Sequence, residues 1–249
     1  MKAGWVFVAL LVVAIPGSAA AQFKLFDQAG AALGALGGGK SLGSPRAPSL
    51  DEIADGLKQA LRLGTERVVA RLGRTDGFNA DPEIHIPLPP SLVRVRSALA
   101  AIGLSSLADD LEERLNRAAE AATPKAKALF WKAVDDLTLD DVKRLYDGPD
   151  DAATRYLRRT MVGPLAAAMR PVIDASLAKV GAVAAYDTAI ASYRSLPFVP
   201  DVKADLTDHV VGKALDGLFL YLGREEAAIR HDPLKRTTTL LVRVFGAGA

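Results

Sequence analysis

From Ser49 onward, apolar residues recur three and four positions apart, the spacing that gathers them on one face of an α-helix. Ile53, Leu57, Ala60, Leu61, Val68 and Leu72 make the first such stripe. Ser49-Leu50-Asp51-Glu52 stands before it as a capping box, and Gly73 stops it. The period is lost over residues 74–90 (RTDGFNADPEIHIPLPP), which carry Pro82, Pro87, Pro89 and Pro90. Ile84 to Pro90 is expected to be extended, near polyproline II. Helical signals resume at Ser91 and stop at Gly103, and Ser105 or Ser106 opens a helix with the stripe Leu107, Leu111, Leu115, Ala118 and Ala122. Thr123-Pro124 starts another with proline in its first turn, and Thr138 caps a short one that ends at Gly148. The long segment from Asp150 carries Pro164 and Pro171, which predict breaks or kinks. Gly181 and Pro197 divide the pieces that follow.

A strong helix is predicted from about residue 205 to 230, and Asp232-Pro233 caps a last one ending at Gly246. Thr237 to Phe245 has β-branched character, but Pro233 ahead of it favours helix. Ala214 to Leu222 is nearly apolar all round, the mark of the central helix of a bundle. Val211, Leu215, Leu218, Leu222 and Ile229 share its stripe. No stretch alternates long enough to make a sheet. The predicted fold is all-α: a single multi-helix bundle domain over residues 49–246, with kinked, proline-interrupted helices.

The chain ahead of this domain reads differently. Lys2 is followed by an unbroken run of apolar residues and glycine from Trp5 to Ile15, then Pro16-Gly17, then Ala19-Ala20-Ala21. This is the layout of a secretory signal, with cleavage expected between Ala21 and Gln22. The apolar run is about half the roughly 20 residues a membrane span needs. Residues 22–48 are rich in Gly, Ala, Ser and Pro and are expected to form a flexible tether. The expected location is the periplasm, with no membrane span once the signal is removed.

Composition narrows the function classes. With 31 basic and 29 acidic residues the formal net charge is +2, and losing Lys2 with the signal lowers it further. Such a balance gives no argument for nucleic acid or for an anionic membrane surface. There is no cysteine, which excludes a lipobox anchor, disulfides and a thiol nucleophile. Half of the residues are hydrophobic (50%) and only 6% are aromatic, which favours closely packed helices.

Gly34 to Ser41 (GALGGGKS) matches the P-loop pattern, but a working P-loop follows a buried strand and opens a helix. Here it lies in low-complexity tether, and we read it as a chance match. Nothing else in the sequence calls for a cofactor. Asp76, Asn79, Asp81 and Glu83 place oxygen ligands in one loop, although not at EF-hand spacing, and a solvated turn is the favoured reading. His85, His209 and His231 lie too far apart in sequence to form a ligand pair.

Two polar groups stand beside apolar stripes. Glu225 and Glu226 fall on the shoulders of the Val211–Ile229 stripe, with Arg230 four residues after Glu226, and Arg230, Arg236 and Lys213 are their expected partners. The favoured reading is a salt-bridge network joining helices, and the alternative is a polar pocket. Asn116 and Glu120 lie opposite the Leu107–Ala122 stripe, and periodicity alone makes them solvent residues. Asp150, Asp151, Thr154 and Arg155 crowd a helix start, where carboxylates meet the positive end of the dipole.

Several segments together resemble an uncharacterised family of exported bacterial proteins, domain of unknown function 4197. They are Gly56 to Leu61 (GLKQAL), Ile84 to Pro89 (IHIPLP), Leu115 to Glu120 (LNRAAE) and Asp151 to Leu157 (DAATRYL). To these are added Lys213 to Leu218 (KALDGL), Glu225-Glu226, Ile229-Arg230, Asp232-Pro233, Arg236-Thr237-Thr238 and Val244-Phe245-Gly246. Gly223-Arg224 and His231 depart from the family's pattern. The resemblance implies an all-helical exported domain and implies no activity. It also singles out the Asn116/Glu120 and Glu225/Glu226/Arg230 groups. The sequence thus points to a binding or interaction module, with an unknown envelope protein or small molecule as partner. The alternative is a hydrolase or lyase with Glu225 or Glu226 as general base.

Overall fold

The capping box at Ser49 opens the first helix, α1 (Leu50–Leu72): the Ser49 hydroxyl accepts from the Glu52 amide, and the Glu52 carboxylate accepts from the Ser49 amide. The other helices in the computed structural model are α2 (Pro90–Ala101), α3 (Ser105–Ala122), α4 (Ala126–Asp135) and α5 (Leu139–Tyr146). They are followed by α6 (Ala152–Lys179), α7 (Val202–His231) and α8 (Thr239–Gly246). The structure describes residues 46–101, 103, 105–179 and 202–246. The leader, the Gly34–Ser41 match and the divisions at Gly181 and Pro197 lie outside the described residues. Among the described residues there is no strand, and the helices pack on one another as an all-α domain. No helix among them is long and apolar enough to cross a membrane.

The hub is α7. It packs against α6, α1, α3 and α8, and every member of its stripe is buried: Val211, Leu215, Leu218, Leu222 and Ile229. A second group of contacts gathers α4, α5 and α8 around α1. There Gly56 permits close approach, since a Cβ on it would lie 2.7 Å from Val244 Cγ2. The expected breaks in the 152–179 segment are absent, and α6 runs through Pro164 and Pro171 as one helix. Both prolines lie on its exposed face, where freed carbonyls are open to solvent, while Leu157, Leu165, Met169, Ile173 and Leu177 bury the opposite side. Another difference falls at the end of the chain. Asp232 caps only a 3₁₀ turn, Pro233–Lys235, and the last helix starts afresh at Thr239, with the Thr238 hydroxyl accepting from the Leu241 amide. Thr123-Pro124 likewise opens a 3₁₀ turn before α4 rather than the helix itself.

Residues 73–89 form no regular element, as their prolines require, apart from turns near Asp81. Phe78, Ile84, Ile86 and Leu88 are nonetheless buried. Gly217 of α7 gives this segment room: a Cβ there would stand 2.9 Å from the Phe78 ring. The segment therefore lies against α7 on one side and α3 on the other.

Candidate functional site

A buried segment with no helix or sheet of its own must find hydrogen bonds for its backbone elsewhere. Here they come from one face of α3. Asn116 pairs with Ile86 as a neighbouring strand would: its Oδ1 accepts from the Ile86 amide at 2.8 Å, and its Nδ2 donates to the Ile86 carbonyl at 2.9 Å. One turn on, the Glu120 carboxylate accepts from the amides of Phe78 and Asn79, both at 3.1 Å, and from Arg117 at 2.9 Å. One turn back, Glu112 accepts from the Leu88 amide at 3.1 Å and meets His85 Nε2 at 3.0 Å. Asn116 and Glu120 are buried, which corrects the reading that makes them solvent residues. The wheel located the apolar stripe but missed a second burial face, because what covers it is backbone and selects polar side chains. The Glu112/Asn116/Glu120 spacing of four, facing a proline-rich segment with unpaired amides, is the signal that could have found it.

The second group forms a different clasp. Glu226 and Arg230 pair at 3.0 Å on one face of α7, with side-chain exposures of only 4% and 10%. The carboxylate accepts from the amides of Ala153 and Thr154 at 3.0 and 2.8 Å and from the Thr154 hydroxyl at 2.8 Å. These amides belong to the first turn of α6, so Glu226 caps that helix from outside its own chain segment. The Arg230 guanidinium donates to the carbonyls of Leu145 and Tyr146 at 2.8 and 3.0 Å, at the end of α5. An anion thus meets a helix start and a cation meets a helix end, and the pair straddles the α5–α6 connection.

The remaining candidates separate. Arg236 does not pair with either glutamate; buried, it donates to the Ile229 and Arg230 carbonyls at 3.0 and 2.6 Å and closes the end of α7. Lys213 is exposed. Glu225 turns to α1 and meets Arg67 at 3.3 Å. At the start of α6, Asp151 pairs with Arg155 and Asp150 with His231, so neither caps the helix with its side chain. The third histidine, His209, has Nε2 at 2.8 Å from the Pro87 carbonyl. The inner side of the Glu226–Arg230 pair faces a cavity of about 10 Å³ lined by Leu57, Leu61 and Phe245. That is room for about one water molecule and for no organic substrate.

The three carboxylates of the loop considered for a metal are engaged by protein partners. Asp76 accepts from Asn79 and Arg117, Asp81 from Tyr221, Arg71 and the Glu83 amide, and Glu83 from Arg224. Among the described residues, no group of three or more His, Asp or Glu side chains is arranged to hold a metal ion. Burial opposes ionisation of Asp81, but the Tyr221 hydroxyl, the Glu83 amide and Arg71 outweigh it and hold the carboxyl below its ordinary value. Glu112 is held below its ordinary value in the same way, burial being outweighed by His85, the Leu88 amide and Arg96.

Two predictions arise here. Asn116→Ala strands the buried amide and carbonyl of Ile86 and should cost about 1–3 kcal/mol in urea denaturation. The lowered carboxyls of Asp81 and Glu112 contribute stability above the ordinary values of 3.8 and 4.5 and lose it as pH falls below them. The melting temperature should therefore drop between about pH 4 and pH 2, less steeply in Asp81→Asn and Glu112→Gln.

An open groove of about 820 Å³ lies outside the clasp, between α6 and α7, with Phe219, Leu220 and Gly223 in its floor and Arg155, Arg158 and Arg224 at its rim. Neither Glu225 nor Glu226 lines it. Comparison with curated proteins and with solved structures finds no match. A family profile described as "Protein of unknown function (DUF4197)" matches residues 47–246, which span both polar groups and every helix described above. The chain belongs to the DUF4197 family.

Proposed function

We propose that this protein is an exported, non-enzymatic binding or interaction module of the bacterial envelope. The observation that carries this reading is the full engagement of the candidate carboxylates. Glu226 and Glu120 each hold backbone amides and an arginine, and Glu225 faces Arg67. A general base must reach a substrate proton, and a carboxylate closed over a cavity of about 10 Å³ cannot. This speaks against Glu226 as a general base, and the ion pair with Arg67 engages Glu225, the other candidate of the hydrolase or lyase reading. Export is supported by the charged, apolar and small-residue zones of residues 1–21.

The test is fractionation of a native bacterial host, N-terminal sequencing, and mass spectrometry of whatever co-purifies from the envelope. The expected result is a periplasmic chain starting at Gln22 that carries a partner or small molecule. A cytosolic chain starting at Met1 would overturn the location. Turnover of a substrate lost in Glu226→Gln without loss of fold would overturn the non-enzymatic reading.

A further inference from the structure

A cleft of about 490 Å³ opens between α5 and the first two turns of α6, adjoining the large groove at Pro149 and Arg155. Its volume is in the range of small-molecule sites. The polar groups on its walls are unbalanced. Asp141 and two of the backbone carbonyls there are already engaged. Asp141 accepts from Arg144 and from the Thr138 hydroxyl and amide. The Leu145 carbonyl accepts from Arg230 and the Gly148 amide, and the Pro149 carbonyl accepts from the Ala152 amide.

Donors are left over. Arg159 lines the cleft, is exposed, and has no partner among the described residues. The Tyr156 hydroxyl, on the same wall, has none either. Arg155 uses only its Nε, on Asp151 at 2.8 Å, which leaves the ends of its guanidinium free. Arg144 and Arg155 each meet one aspartate, Asp141 and Asp151, and Arg159 is the cleft's cation with no carboxylate among the described residues. Guanidinium groups present paired N–H donors that match the oxygens of phosphate and carboxylate. In the larger groove Arg158 and Arg224 are held by Asp216 and Glu83, and Arg155 is the one arginine it shares with the cleft.

We propose that the α5–α6 cleft binds a small multivalent oxyanion, phosphate- or carboxylate-bearing, through Arg159, Arg155 and the Tyr156 hydroxyl. The inference rests on the reading of the domain as a binding module and gives that reading a ligand class.

The test is calorimetric titration of the full mature chain with inorganic pyrophosphate and, separately, with citrate, in 0.15 M NaCl. The two arms separate phosphate from carboxylate recognition. At least one anion should bind, with Arg159→Glu weakening it about tenfold or more and Tyr156→Phe about two- to fivefold. Arg159 has no folded partner to lose, so its variant should melt with the wild type. Lys132→Glu makes the same charge change on α4, outside the cleft, and should leave binding unaltered. No binding of either anion, equal weakening by Lys132→Glu, or binding of an acidic peptide such as hexaglutamate alone would overturn the assignment. If both anions fail while an envelope ligand still co-purifies with the domain, the cleft is wrong and the binding-module reading stands.

Discussion

Arg230→Ala should remove about 3–5 kcal/mol of stability, the cost of breaking a buried, hydrogen-bonded ion pair from one side. The arginine is nine-tenths buried and serves three acceptors at once: Glu226 and the carbonyls of Leu145 and Tyr146. Alanine leaves the Glu226 charge without its cation and the end of α5 without its donor. Glu226→Gln is milder. The amide oxygen can still accept from the start of α6, but the charge on Arg230 loses its counterion, and a loss of about 1–3 kcal/mol is expected. Glu225→Gln is the control, because its contact with Arg67 is partly exposed and contributes at most about 1 kcal/mol. Chemical denaturation of the three variants should rank them in that order. A neutral or stabilising Glu226→Gln would show a group held under strain for a ligand.

Leu218→Ala should cost about 2–5 kcal/mol. The side chain is fully buried in α7, the helix against which α6, α1, α3 and α8 all pack, so no single neighbour can move to fill the space. Leu220, two residues on in the same helix, is 40% exposed, and its alanine variant should change stability far less. A loss below about 0.5 kcal/mol at Leu218 would mean that the buried face of α7 is assigned incorrectly.

The apolar pattern carried most of the fold because helix-on-helix burial writes itself into the sequence at a period of 3.6. The stripes of α1 and α7, the capping box at Ser49, the cap at Thr138 and the stop at Gly73 all stand where the pattern puts them. What escaped it were contacts that no period encodes. The α3 face holding residues 78–88 is polar, so a hydrophobic stripe could only assign it to water. The burial of Glu226 rather than Glu225 depends on where α6 begins in space, and Arg236 was assigned the wrong partners because a helix end, as well as a carboxylate, attracts a cation. Pro164 and Pro171 do not break α6 for a related reason: an exposed proline in a helix costs less when the opposite face is deeply buried. The open α5–α6 cleft is a property of packing, and the run Thr154-Arg155-Tyr156-Leu157-Arg158-Arg159 gave no hint of which arginines would be left unpaired.

The central claim is that the two polar groups are backbone staples, with Glu226 and Glu120 binding amides of their own chain. Native-state hydrogen exchange at the amides of Ala153, Thr154, Phe78 and Asn79 tests it directly. If the carboxylates hold these amides as described, all four exchange only through global unfolding, and Glu226→Gln speeds Ala153 and Thr154 while leaving Phe78 and Asn79 changed only by the loss of overall stability. Rapid exchange of these amides in the wild-type protein, at the rate of open loop residues, would contradict the account.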